Sequence, residues 1–189
     1  MDAIDLLMTR CSNGKLGEPA PDEETLQLAI QAAVRAPDHG ALRPWRFQLI
    51  RGAAREQLGK VMREALRRRT PDLAPALLDK EQSKPMRAPL LIVVSARVRE
   101  HVKVPGVEQM LSAAAAAQNI LLALHARGYT GMWRTGPAAY DSYVREALGM
   151  PEGDVIVGFL YTGTATTAPP PIKRPTPDDY LEEWTGPVE

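Results

Sequence analysis

Three polar residues near the N-terminus carry the side chains that a phosphate group needs. Arg10, Ser12 and Lys15 lie within six residues of one another in the segment RCSNGK. They offer a guanidinium that can hold two oxygens at once, a hydroxyl and an ammonium. This combination is typical of an anion-binding loop. A solvated polar loop has the same composition, so the segment alone leaves both interpretations open.

A second segment, RAPDHGALRPWRF at residues 35–47, joins charged residues to a loop. Its two prolines and its glycine predict a loop that ends where Trp45 enters a strand. Arg35 and His39 could reach a ligand from this loop. They could also be ordinary polar loop residues, which is the simpler interpretation of the segment alone, and Trp45 is typical of a protein core.

The third segment, GYTGMWRTGP at residues 128–137, places three glycines and a proline around Trp133, Arg134 and Thr135. Glycines allow the backbone to approach a flat or phosphorylated group closely. A tight entry into a strand with a packed tryptophan would use the same residues. Both interpretations stay open for this segment.

Several enzyme classes lack their characteristic patterns in this chain. There is no G-x-S-x-G elbow, no G-x-G-x-x-G turn after the first strand, and no phosphate-binding loop of the nucleoside triphosphatases. The histidines at 39, 101 and 125 do not have the spacing of metal ligands, so no metal site is predicted. Cys11 has no histidine near it in sequence to act as a base, and we expect it to fill space in its loop.

Composition places the chain among small cytoplasmic proteins that bind neither nucleic acid nor membrane. The 23 basic residues balance the 23 acidic ones, so no overall positive field would attract polyanions. One cysteine allows no intrachain disulfide, which fits a reducing compartment. The N-terminus does not resemble a signal peptide. The apolar run 88–96 is too short to span a bilayer, and Gln118 and Asn119 interrupt the longer one.

Hydrophobic periodicity predicts intermixed helices and strands in one domain, residues 1–164. The longest helical pattern, residues 105–127, contains five consecutive alanines at 113–117 that would let another helix approach closely. Residues 90–95 form an apolar, β-branched run expected of a strand covered on both faces. Further helices are predicted near 2–9, 21–34, 53–69, 75–84 and 141–148, and further strands near 45–50, 132–134 and 155–162.

The composition changes at residue 165, where a proline-rich tail begins and continues to residue 189. Six prolines predict an extended segment. The tail nevertheless carries Tyr180, Leu181 and Trp184, which are costly to leave in water. We therefore expect it to pack on its own domain or on a partner subunit.

Taken together, these segments resemble the FMN-dependent nitroreductase family, and its short branch most of all. The matching pieces stand in family order along almost the whole chain to about Thr164. Their order and spacing are far more specific than any single piece. The pieces are LLMTRCSNGKL, APDHGALRPWRFQLI, HVKVPGVEQ, AAAAAQNILLALHARGYTGMWRTG and VIVGFLYTGT, with a weaker echo in RPTPDDY.

The resemblance implies an α+β nitroreductase-like fold, with a central mixed β-sheet flanked by helices in an intertwined homodimer. FMN would lie at the subunit interface. NADH or NADPH would deliver hydride to FMN, and a nitroaromatic or quinone acceptor would then take its place in a ping-pong reaction. Two alternatives stay open: a flavin-binding module with little turnover, or another flavin chemistry on the same fold, such as dehalogenation or flavin cleavage.

The same resemblance implies which residues contact FMN. Arg10 and Ser12 would bind the phosphate end, with the backbone of Cys11 between them. Arg35 and His39 would approach from the partner subunit. The other side of the site would be formed by Trp133, Arg134 and Thr135.

No side chain is implied as an obligatory acid or base, because the flavin carries out the hydride chemistry. This sequence lacks the separate Lys/Arg pair that longer nitroreductases place on the phosphate near the C-terminus. Lys173 and Arg174 are candidates for that role by position only.

Overall fold

The computed structural model describes residues 2–169, 171 and 174–187. The predicted helices and strands occur in the predicted order, and their bounds lie within a few residues of the predicted ones. A short strand at Leu16–Gly17 was not predicted. Short 3₁₀ turns add single helical turns to the connections. The helices are α1 Ala3–Thr9, α2 Glu23–Ala33, α3 Ala54–Arg69, α4 Pro75–Gln82, α5 Gly106–Ala126 and α6 Ser142–Ala147, and the strands are β1 Leu16–Gly17, β2 Trp45–Arg51, β3 Leu90–Ala96, β4 Thr130–Arg134 and β5 Val155–Ala165.

One sheet runs through the centre of the subunit. Strand β3 pairs with β2 on one side and β5 on the other, while β4 and β1 share the far edge of β5. Each of these pairs is antiparallel, whereas a mixed sheet was expected. Within the described residues, parallel pairing is limited to an isolated bridge between Ser12 and Gly131.

Helices cover both faces of the sheet, as the apolar pattern of β3 predicts. Every residue of β3 is buried. Successive side chains of a strand point to opposite faces. Ile92 therefore packs with α2 and α5 in one core, and Val93 packs with α3 and α6 in a second core.

Helix α5 forms the spine of the first core. Ala113, Ala116 and Ala117 are completely buried, and their small side chains allow the sheet and α2 to approach. Val107 and Leu111 lie on the outer face of the helix and are 54% and 62% exposed. Within the described residues, α5 alone is long and apolar enough to cross a membrane, a property that core helices of globular proteins share.

The beginning of the tail packs on the domain. The N–H of Thr166 donates to the Lys15 carbonyl at 3.0 Å, and the Asn13 amide donates to the Thr167 carbonyl at 2.9 Å. Further along, Tyr180, Leu181 and Trp184 are each more than three-quarters exposed. Packing on the same subunit therefore does not cover the apolar end of the tail.

Candidate functional site

The N-terminal loop at residues 10–15 is held against the edge strand β4. The N–H of Asn13 donates to the Gly131 carbonyl at 3.4 Å, beside the parallel bridge that Ser12 forms. The Asn13 side chain is buried, and its Oδ1 accepts from the N–H of Lys15 at 2.9 Å. These bonds fix the loop between β4 and the start of the tail. They bring the first and third predicted segments together.

A second arginine reaches this loop from the tail. Arg174 Nη2 donates to the carbonyl oxygen of Arg10 at 3.1 Å. Its guanidinium thus lies beside the predicted phosphate-binding residues. Lys173, the other candidate by position, lies outside the described residues.

A groove of about 810 Å³ opens along this loop, and we name it the loop groove. Met132 and Arg134 both face it, because alternate residues of a strand share one face. A Cβ atom at Gly14 would lie only 3.0 Å from Arg134 Nη2, so a glycine at this position makes room for the guanidinium. The loop groove is lined by residues 12–16, Met86, Arg87, Met132, Arg134 and 166–168.

A smaller cavity of about 310 Å³ adjoins the loop groove, and we name it the inner cavity. Arg87 and Arg134 line both spaces, so the two spaces share these side chains as a common wall. The wall of the inner cavity comes from α3, α4 with the turn after it, the β4 end and β5. Its residues are Met62, Glu81, Lys84, Arg87, Arg134, Thr135, Gly136, Ala138, Phe159 and Tyr161.

The inner cavity has an excess of positive charge. Glu81 is buried and pairs with Lys84, with 2.5 Å between Oε2 and Nζ. Among the described residues, the guanidiniums of Arg87 and Arg134 have neither an ion pair nor a hydrogen bond. Arg87 is exposed and Arg134 is half-buried, so both guanidiniums are available to an anionic ligand.

Tyr161 contributes a hydrogen-bonding group to the same cavity. Burial is the largest influence on the phenol, and it raises the pKa of Tyr161 above its ordinary value. The Arg134 guanidinium carbon lies 5.8 Å from the centre of the Tyr161 ring. The phenol therefore stays protonated at neutral pH and can donate a hydrogen bond into the cavity.

Glu81, Lys84 and Arg87 are site residues that the sequence pattern does not reveal, because a helix near residues 75–84 carries no sign of its ligand. Their position depends on close packing of α4 against α3. A Cβ atom at Gly59 would lie 2.2 Å from the Gln82 carbonyl oxygen. A glycine inside a helix costs roughly 1 kcal/mol relative to alanine, and this contact explains its presence here.

Trp133 faces away from the loop groove. Its side chain packs against the α5 core, and its Nε1 donates to the Val157 carbonyl at 3.2 Å. A Cβ atom at Gly158 would lie 2.1 Å from that nitrogen, so the indole rests directly on the β5 backbone. Trp133 thus shapes β4 through packing, while Arg134 and Thr135 reach the inner cavity.

The residues of the second segment lie elsewhere in the subunit. His39 Nδ1 is 2.6 Å from Glu108 Oε2, in the first turn of α5. At the other end of this helix, Thr9 Oγ1 is 3.2 Å from His125 Nε2. Glu108 and His125 are about 25 Å apart along the axis at 1.5 Å per residue. One subunit therefore keeps His39 far from the loop at residues 10–15.

The loop that carries His39 and follows Arg35 has a strained backbone. Ala41 and Arg43 adopt φ angles of 54° and 50°, which non-glycine residues rarely do. The Asp38 carboxylate holds this shape by accepting the N–H of Arg43 at 2.8 Å. Such strain is often found at functional sites.

Comparison with known proteins assigns the chain to a family. A model of the "Nitroreductase family" matches residues 9–164. The protein named "Putative NAD(P)H nitroreductase YdjA" from Escherichia coli (strain K12) is 42% identical over 183 residues, which cover 96% of this chain and 98% of that one. A "Putative NAD(P)H nitroreductase" from Haemophilus influenzae is 39% identical over 87% of this chain and 89% of its own.

The fold agrees with this assignment. A crystal structure of a nitroreductase-like family protein from Bacillus cereus superposes with a TM-score of 0.82 at 23% identity, covering 98% of this chain and 97% of that one. The predicted nitroreductase-like fold is confirmed by this likeness. The sequence match over most of the chain and the shared fold lead to one conclusion: this chain belongs to the nitroreductase family.

Proposed function

We propose that this chain is an FMN-dependent oxidoreductase that takes hydride from NADH or NADPH and reduces nitroaromatic or quinone acceptors. The observation that carries the proposal is that the loop groove and the inner cavity adjoin each other and share Arg87 and Arg134. Family membership and the name of the Escherichia coli relative support the same reaction class. The net charge of zero and the single cysteine fit a cytoplasmic location.

The loop groove suits the phosphate end of FMN. Its volume of about 810 Å³ lies within the range of small-molecule sites. Arg10, the Ser12 hydroxyl and the Cys11 backbone would hold the phosphate, as the family resemblance implies. Arg174 adds a second guanidinium at the Arg10 carbonyl and would take the place of the C-terminal Lys/Arg pair of longer relatives.

The inner cavity suits the ring system. Bound FMN would supply hydride acceptance and two-electron transfer. Arg134 and Thr135 would hold the ring from the β4 side, with Trp133 supporting that strand from behind. Lys84, Arg87 and Arg134 would stabilise negative charge on the reduced ring, since fixed cations in a partly buried site act strongly on nearby charge.

A second copy of the chain would complete the site. His39 lies far from the loop groove of its own subunit. We infer that His39, and Arg35 from the same segment, reach the groove of a partner. Apolar residues of α1 and the outer face of α5 support a homodimer, because no residue of α1 is buried in one subunit. The exposed apolar residues are Ile4, Leu7 and Met8 on α1, Val107 and Leu111 on α5, and Tyr180, Leu181 and Trp184 on the tail.

One open pocket would serve NAD(P)H and the acceptor in turn. This arrangement predicts ping-pong kinetics, with parallel lines in double-reciprocal plots. No side chain of the chain is needed as an obligatory acid, because solvent can protonate the product.

A second candidate is another flavin chemistry on the same fold, such as reductive dehalogenation. Oxidised iodotyrosine deiodinase bound to FMN and 3-iodo-L-tyrosine superposes with a TM-score of 0.71 at 20% identity, covering 98% of this chain and 99% of that one. A likeness at this identity supports the shared fold only. Screening halogenated phenols beside nitroaromatics and quinones separates the two candidates.

The test is an absorbance spectrum of the purified protein before and after anaerobic addition of NADH or NADPH. We expect bound flavin that is released as FMN and not FAD, and that bleaches with one of the nicotinamides. Flavin that stays oxidised would support a binding module with little turnover. Absence of flavin after reconstitution would contradict the proposal.

A further inference from the structure

Glu81 is the one carboxylate among the residues that line the inner cavity. It is 8% exposed, and its Oε2 lies 2.5 Å from Lys84 Nζ. Removing a carboxylate from water is costly unless a partner compensates it, and Lys84 provides that compensation. The pair therefore stays in the cavity wall, where its charges act on whatever the cavity holds.

The charges around the cavity do not balance. Lys84, Arg87 and Arg134 are cations, and Glu81 offsets one of them. Replacing Glu81 by a neutral residue would change the fixed charge of the wall from +2 to +3. In a partly buried site, a change of one charge acts strongly on a neighbouring charged group.

We propose that Glu81 lowers the reduction potential of the bound flavin by offsetting one of the three cations of the inner cavity. This inference rests on the proposed function. Hydride transfer moves two electrons and one proton from NADH or NADPH, which becomes NAD⁺ or NADP⁺, and leaves one added negative charge on the ring. The cations favour that charge and Glu81 opposes it. The carboxylate thus keeps the reduced ring ready to pass electrons to an acceptor.

A neighbouring carboxylate provides a matched control. Asp79 lies two residues before Glu81 on the same helix and forms an ion pair with Arg63. It lines a separate surface recess and its side chain is 66% exposed. Asp79→Asn removes the same charge from the same helix, but water screens that position from the cavity.

The experiment measures the midpoint potential of bound FMN by equilibration with a redox dye, alongside the Kd of the protein for oxidised FMN. Glu81→Gln should raise the ratio of the affinities for reduced and oxidised FMN by about tenfold over the wild type. For a two-electron couple this is a shift of about 30 mV to more positive potential. Glu81→Asp, which keeps the charge, should restore a potential close to that of the wild type. Asp79→Asn should leave the potential unchanged.

A second variant with an expected shift in the opposite direction keeps the proposal testable if Glu81→Gln does not fold. Arg134→Met removes a half-buried cation from the cavity wall and should shift the potential to more negative values. A Glu81→Gln potential equal to that of Asp79→Asn, or a negative shift, would overturn the proposal, as would an unchanged potential in Arg134→Met. If the wild type binds no FMN, the proposed function itself fails, which is a separate result.

Discussion

His39 and Glu108 are joined by a contact of 2.6 Å between Nδ1 and Oε2, which fixes the imidazole beside the first turn of α5. The loop that carries Arg10 lies at the other end of the same helix, where Thr9 contacts His125. The length of α5 therefore separates His39 from the loop that carries Arg10, although the family resemblance assigns both to one flavin. A site shared between two subunits reconciles the resemblance with this distance.

Arg10→Ala should weaken FMN binding. The variant removes a charge-assisted contact to the phosphate worth about 1.5–3 kcal/mol, or roughly tenfold to a hundredfold in Kd. Riboflavin has no phosphate, so its binding should change little. Flavin fluorescence titration measures both, and Arg68→Ala, which alters an arginine paired with Glu64 on α3, is the control. An equal loss for FMN and riboflavin would show that the loop is merely structural.

Gly59→Ala should destabilise the subunit and disturb the inner cavity. The added Cβ would collide with the Gln82 carbonyl oxygen, and overpacking of this kind costs about 1–3 kcal/mol. Because α4 would have to move, Lys84 and Arg87 would move with it and FMN affinity should fall. Urea denaturation of the apoprotein gives the stability change. The exposed neighbour Lys60→Ala should stay within about 0.5 kcal/mol of the wild type. Similar stability of the two variants would refute the close packing.

Tyr161→Phe should change stability at alkaline pH. Burial raises the pKa of Tyr161 in the folded protein, so the contribution of the phenol is fully present below its ordinary value of 10.0. It is lost as pH rises through the higher pKa of the folded state. The variant should therefore lose less stability between neutral pH and pH values above 10 than the wild type loses. Tyr180→Phe, at an exposed position, should behave like the wild type in the same denaturation series.

Leu111→Glu should weaken the proposed dimer. Leu111 is 62% exposed on the outer face of α5, where a carboxylate would be buried without a partner if a second copy packs there. Light scattering coupled to flavin absorbance over a dilution series should show monomers and loss of FMN together. Leu77→Glu, on α4 across the sheet, is the control for an added charge at an exposed leucine. A monomer that retains stoichiometric FMN would place the site within one subunit.

The sequence predicted the order of the elements well because most of them have a clear periodicity. The apolar run at 90–95 lies in β3, and the alanine-rich pattern lies in α5. The direction of strand pairing could not be predicted from the sequence, because it depends on the connections between distant strands and not on the local residue pattern. The expected mixed sheet is thus antiparallel apart from the Ser12–Gly131 bridge in the described part of the chain.

The candidate site was only partly predictable from sequence. Arg134 could be proposed as a site residue from its segment. The face of the sheet on which its side chain lies could not be predicted, and Trp133 lies on the opposite face. Glu81 and Arg87 reach the inner cavity through the packing of α4 on Gly59, which leaves no local signal beyond a glycine within a helix.

Complementation between two defective variants tests the shared site most directly. Arg10→Ala damages one half of each site, and the double variant Arg35→Ala/His39→Ala damages the other. A heterodimer purified through two different tags has one site with both defects and one intact site if the halves come from different subunits. We predict that each homodimer binds FMN weakly, whereas the heterodimer binds one FMN per dimer with wild-type affinity. A heterodimer that binds FMN as weakly as both homodimers would contradict the shared site.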